Sequence, residues 1–140
     1  MITLITTFTT GGAANIGDLL IEESLRGILT SAGIHEEILT VFREDSLDPI
    51  LEKVNASRAV LLPGFAIRDT PMYPGTYRLT ASLSHLKRPL IPVGANYNVY
   101  PGDRLSIQST RYSRETLNFL DFVAKGAGEI ACREWHTCEV

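Results

Sequence analysis

The chain has 140 residues, 44% hydrophobic and 21% charged, with a formal net charge of -3, the balance expected of one soluble globular domain. That charge offers no basic groove to nucleic acid, and no apolar run approaches the roughly 18 residues a membrane span requires. Cys132 and Cys138 are too few for a disulfide framework, and Met1–Thr6 lacks the positive start of a secretory leader, so a cytoplasmic setting is expected.

Ile2 to Thr7 is β-branched and apolar and reads as a first strand, followed by a polar, Gly-rich turn from Thr9 to Ala14. A helix is predicted from Ile16 to about Ala32, with an apolar stripe of Ile21, Leu25, Ile28, Leu29 and Ala32 and Gly33 as its stop. Gly27 inside it costs about 1 kcal/mol against alanine, which points to a tight crossing. Glu37 to Phe42 reads as a second strand, and Asp48 to Asn55 as a short helix with Pro49 in its first turn. Arg58 to Leu62 is a continuous apolar run, the mark of a strand covered on both faces, and it ends at Pro63-Gly64.

A helix is predicted from Tyr77 to Leu86, then a fourth strand from Pro89 to Val93 ending at Gly94, whose prolines each remove a ladder donor. The polar stretch from Asn96 to Tyr112 exceeds an ordinary connection, which suits a functional loop. Ser113 caps a helix running to about Lys125, although Thr116 stands where a complete capping box has Glu or Gln. Gly126 and Gly128 close that helix, Glu129 to Cys132 is a fifth strand, and Glu134 opens a further helix cut at Val140. The alternation predicts an α/β fold, a mostly parallel five-stranded sheet with helices on both faces. Residues 1–140 form one domain, and the truncated last helix implies a partner half beyond it.

Open parallel sheets bind ligands beyond the carboxyl ends of their strands, and four such ends carry candidate residues. In Gly11–Asp18 the glycines allow close backbone approach and the helix start offers free N–H groups to an anion. The spacing matches neither G-x-G-x-x-G nor a P-loop, and simple capping by Asn15, with Asp18 three residues on, is the structural alternative. After the third strand, Arg68 and Asp69 suit a phosphate or sugar hydroxyls, or form a solvated surface pair. After the fourth, Asn96 and Tyr97, with Tyr100 and Arg104, suit the polar edge and C–H face of a sugar, or pin the loop to the body. After the fifth, Arg133 and Glu134 face the crevice or cap the next helix. The C-x5-C spacing of Cys132 and Cys138 fits no ordinary zinc site, even with His136, so no metal is expected. His35 and His85 have no partner in the sequence pattern, and neither G-x-S-x-G nor a Ser-His-Asp arrangement occurs.

Asn15-Ile16-Gly17-Asp18-Leu19-Leu20-Ile21 resembles the N-terminal motif of the polysaccharide pyruvyl transferase family: an apolar strand, a turn with Gly and Asn, then Asn-x-Gly-Asp opening a helix. Val93-Gly94-Ala95-Asn96 resembles that family's later turn after a Pro-rich strand, and Ile130-Ala131-Cys132-Arg133-Glu134 its Ile-x-x-Arg-Asp/Glu segment. Pro63-Gly64-Phe65 matches the turn after the third strand only in part, with Pro63 and Phe65 where a glycine run is usual.

The resemblance implies a Rossmann-like three-layer sandwich, one half of a two-domain enzyme of the B-type glycosyltransferase kind. The implied reaction moves a pyruvyl group from phosphoenolpyruvate onto two hydroxyls of a saccharide acceptor as a cyclic ketal, in exopolysaccharide biosynthesis and with no cofactor. It makes Asp18 and Glu134 the catalytic carboxyl candidates, and Asn15, Gly17, Arg68, Asp69, Asn96, Tyr97 and Arg133 the substrate-binding candidates. This half alone is then expected to be inactive, to expose an apolar patch and to self-associate through it. The alternative is a non-catalytic Rossmann-like module that binds a sugar, a nucleotide or a protein. A stand-alone flavodoxin-like domain is disfavoured by the absence of a clear phosphate loop.

Overall fold

The structure, a computed structural model, describes residues 1–9, 11, 15–68, 71–97, 111–133 and 137. The chain begins with β1 (Ile2–Thr6), α1 (Ile16–Ser31) and β2 (Ile38–Phe42). A 3-10 turn at Asp48–Ile50 leads into α2 (Leu51–Ala56), and β3 (Val60–Pro63) and the two-residue β4 (Ala66–Ile67) follow. After β5 (Leu90–Tyr97) come α3 (Arg114–Ala127) and β6 (Ala131–Cys132).

All pairings are parallel, in the order β2-β1-β3-β5-β4, with β6 on the other edge of β5. The expected α/β class with a parallel sheet and flanking helices is therefore present, with six strands in place of five. The extra strand continues an expected one. β3 pairs Val60 with Leu90 and β4 pairs Ala66 with Asn96, so both keep one register along the same edge of β5. Gly64 N–H donates to the Val93 carbonyl and Asn96 N–H to the Phe65 carbonyl, which carries the pairing across the gap. At the gap Gly64 takes φ +65° and at the matching rung Gly94 takes φ +68°, where β5 bulges; a side chain at either would be strained.

β5 is longer than the predicted Pro89–Val93 and takes in Gly94 and Asn96. Its Pro92 is tolerated because alternate residues of a strand hydrogen-bond to opposite edges. Val93 turns its carbonyl toward β3, so the missing Pro92 donor faces the other edge, which β6 joins only from Val93 onward.

Each sheet face carries its own core. On one, Leu25 and Leu29 of α1 pack against Ile2, Leu4 and Leu61. On the other, a larger cluster holds Ile5, Val54, Leu62, Phe65, Tyr77, Leu90, Phe119 and Val123. Ser113 caps α3 as expected, its hydroxyl accepting the Thr116 N–H at 3.2 Å.

Three expectations fail. Gly27, expected to mark a tight crossing, is exposed on α1 with nothing within 4 Å of where a Cβ would stand. Ile28, assigned to the inward stripe of α1, is 62% exposed, and Ala32 is exposed at the C-cap. The helix turns Glu22 inward instead, held 2.7 Å from Arg26, which also bonds Thr40. The helix predicted from Tyr77 to Leu86 is absent. A π turn spans Met72–Thr76, a 3-10 turn spans Leu83–His85, and the chain between is irregular. Leu79 supplies the reason: it adopts φ +47°, bridges to Ser46 and accepts the Leu47 N–H, so tertiary pairing displaces the helical ladder. Among the described residues, no helix is long and apolar enough to cross a membrane.

Candidate functional site

β2 lies on one side of β1 and β3 on the other, so the strand order reverses at β1, the position where open parallel sheets form a ligand crevice. A cleft of about 590 Å³ lies between the N-terminal half of α1, which follows β1, and the carboxyl ends of β3 and β5. Four separate segments build it: Asn15 with Gly17 and Asp18, Pro63-Gly64, Val93-Gly94, and Arg133.

The floor is backbone and hydrocarbon. A Cβ on Gly64 would meet Ile21 at 3.3 Å, and one on Gly94 would meet the Arg133 side chain at 3.6 Å. The two glycines therefore keep the sheet end low while Ile21, Leu25 and Val93 give it an apolar lining. Leu20 and Ile28, 67% and 62% exposed, form the outer rim along α1.

Two charges stand over this floor. Asp18 sits half-buried in the first turn of α1, a favourable place for an anion. Arg133 leaves the end of β6 with its N–H on the Ala95 carbonyl at 2.7 Å and its side chain exposed. Among the described residues, neither side chain has a hydrogen-bond or ion-pair partner. Carboxylate accepts from hydroxyls and guanidinium donates to oxygens, so the pair suits a polyhydroxylated or anionic ligand lying on an apolar floor.

The remaining candidates divide. Asn15 is the N-cap of α1, accepting the Gly17 N–H at 2.9 Å. The box-like link to Asp18 is not made, since the Asp18 N–H donates to the Asn15 carbonyl. A Cβ on Gly17 would stand 3.2 Å from Asn15 Oδ1, so the cap alone demands a small residue at 17. Asn96 and Tyr97 lie in β5 outside the cleft lining. Asn96 donates its N–H to Phe65, and Tyr97 is 5% exposed, too buried to offer its ring to a sugar. Arg68 is half-buried beyond β4, on the side of Tyr77, and does not line the cleft. Asp69, Tyr100, Arg104, Glu134, His136 and Cys138 lie outside the described residues.

Among the described residues no cluster of three His, Cys, Asp or Glu could hold a metal. Cys132 is a half-buried strand residue, and His35 and His85 are exposed. Sequence reasoning missed the apolar lining of the cleft, Ile21, Leu25 and Val93, because apolar residues at helix and strand spacing read as core. Compared with protein-family models, with curated proteins and with solved structures, the chain matches none.

Proposed function

We propose that this chain is the N-terminal domain of a transferase of the polysaccharide pyruvyl transferase type, acting on phosphoenolpyruvate and a saccharide acceptor in the cytoplasm. One observation carries the reading. The segments that resemble the family motifs lie far apart in the sequence, yet Asn15, Gly17, Asp18, Pro63, Gly64, Val93, Gly94 and Arg133 line one cleft at the carboxyl ends of β3 and β5. Its composition supports an acceptor subsite: an apolar floor for the C–H face of a sugar, a carboxylate to accept from hydroxyls and a guanidinium to donate.

Ketal formation needs a base for each attacking hydroxyl, an acid for the enol carbon and donors for the departing phosphate. In this reading Asp18 takes a proton from an acceptor hydroxyl, and Arg133 holds the sugar or its phosphate-bearing donor. Glu134 remains the second carboxyl candidate of this reading. Completion of the site falls to a second domain across the cleft, for which the exposed Leu20 and Ile28 offer apolar contact.

A second reading, a saccharide-binding module without catalysis, is favoured by Asn15 and Gly17, whose mutual geometry is explained by capping alone. The deciding measurement is phosphate release from phosphoenolpyruvate with a glycan panel, using the natural full-length protein with Asp18→Asn and Arg133→Gln beside it. Turnover lost in both variants at unchanged melting temperature is the expected result. Glycan binding with no turnover in the wild type leaves the module, and neither binding nor turnover sinks both readings. Asn15→Ala serves as the structural control, lowering stability by about 1 kcal/mol as a lost cap does.

A further inference from the structure

Away from the cleft, β2 is an edge strand that, among the described residues, pairs with β1 alone. The Ile2 N–H donates to the Glu37 carbonyl at 2.8 Å, and the Arg43 N–H donates to the Thr6 carbonyl at 3.0 Å. Glu37, Leu39, Val41 and Arg43 therefore turn their backbone polar groups toward β1, and Ile38, Thr40 and Phe42 turn theirs outward. The Phe42 carbonyl accepts the Asp45 N–H at 2.9 Å and keeps a second lone pair. The other outward groups have no partner among the described residues.

A groove of about 760 Å³ follows this edge. Leu39 to Phe42 line it, with Leu19 and Glu22 of α1 on one side and Ile50, packed on the opposite face of the sheet, on the other. Proteins blunt an edge strand with a charge, a proline or a bulge. β2 has none of these: its register with β1 is unbroken, and Ile38, Leu39, Val41 and Phe42 are only half-buried.

The run Glu37-Ile38-Leu39-Thr40-Val41-Phe42-Arg43 is complementary to itself when reversed about Thr40. We propose that the free edge of β2 is an interface at which two copies of this chain pair antiparallel, about a two-fold axis through Thr40, so that one sheet runs through both. In that register Thr40 faces the partner's Thr40 and Ile38 faces the partner's Phe42. These are the residues with outward groups, so each pair exchanges both of its N–H···O bonds. Leu39 faces the partner's Val41, and Glu37 faces the partner's Arg43, which sets opposite charges at both ends of the run. Thr with Thr, aromatic with β-branched, and opposite charges are all favourable cross-strand pairs. Moving the axis to Leu39 sets Glu37 against Val41, and moving it to Val41 sets Glu37 against Asp45. The matched ends select a second copy over a strand of unrelated sequence, and the interface does not depend on pyruvyl transfer.

The test is sedimentation equilibrium of the full chain over a wide concentration range, with amide hydrogen exchange followed residue by residue. A concentration-dependent dimer is expected, its Thr40 amide slowing as the dimer fills. Thr40→Pro removes an outward donor from both copies while leaving the ladder to β1, and should weaken the dimer at least about tenfold. Glu37→Lys should weaken it too, and Ile28→Glu, on the rim of the cleft, should leave it unchanged. If Thr40→Pro does not fold, Thr40→Lys sets like charges face to face across the axis, and weakening is again expected. A chain that stays monomeric at high concentration overturns the proposal, whether its Thr40 amide exchanges freely or is already covered by another segment. So does a dimer that folded Thr40 variants leave intact, one indifferent to Glu37→Lys, or one that Ile28→Glu dissolves.

Discussion

Tyr77 shows how one buried group sets a pH limit. Its folded-state pKa is raised to about 12, first by burial, against the pull of Arg43 and Arg68. In the unfolded chain a tyrosine ionises near about 10, so the stability from keeping it neutral is complete below that value. It is lost as pH rises through the window up to about 12, where the unfolded state releases a proton the folded state retains. Melting should therefore fall steeply across that alkaline range, and Tyr77→Phe should flatten the fall; an identical alkaline limb in wild type and variant would refute this. The residue also marks where sequence reading stops. Asn15 and Asp18 were legible because a cap and a first-turn acid are local signals, whereas the burial of Tyr77 against Phe65 and Phe119 depends on segments joined only by the fold.

Helix α1 illustrates the same boundary for elements. Its limits were readable from the Asn15 cap and the Gly33 stop, but the width of its buried stripe depends on how much of the sheet it covers. It reaches β1 and β3, enough to bury Leu25 and Leu29 and leave Ile28 in solvent. Leu29→Ala should accordingly cost about 2–5 kcal/mol, while Ile28→Glu should leave stability within about 0.5 kcal/mol; urea unfolding of the two variants checks the contrast, and equal costs would contradict the burial pattern. Five of the six strands were legible, since short β-branched runs ending in Gly or Pro have few other readings, whereas the two-residue β4 is too short to carry a pattern. The segment after Tyr77 was not. Its helical spacing is real, but the bridge of Leu79 to Ser46 is a contact between residues more than thirty positions apart, invisible to any local pattern.

At the scale of the molecule, the sheet separates two cores that share β1, β2, β3 and β5. Leu4 and Leu61 face α1, and Ile5 and Leu62, their neighbours in the chain, face Phe119. Neither core can melt without exposing the backs of the other's strands, so unfolding is expected to be one cooperative transition. Leu4→Ala and Phe119→Ala, on opposite faces, should each lower that single transition with tyrosine emission and far-ultraviolet dichroism coinciding; probe-dependent midpoints would show the faces to be independent. Gly64 and Gly94, at matching positions just beyond the Pro63–Val93 pair and both at positive φ, together set a crease across the sheet. The crease is written in the main chain, so the ledge it makes does not depend on which side chains surround it. Residues around the ledge, such as Ile21 and Arg133, can therefore be exchanged to suit a different guest while the ledge stays in place, and selectivity at this site can be redesigned without rebuilding its foundation.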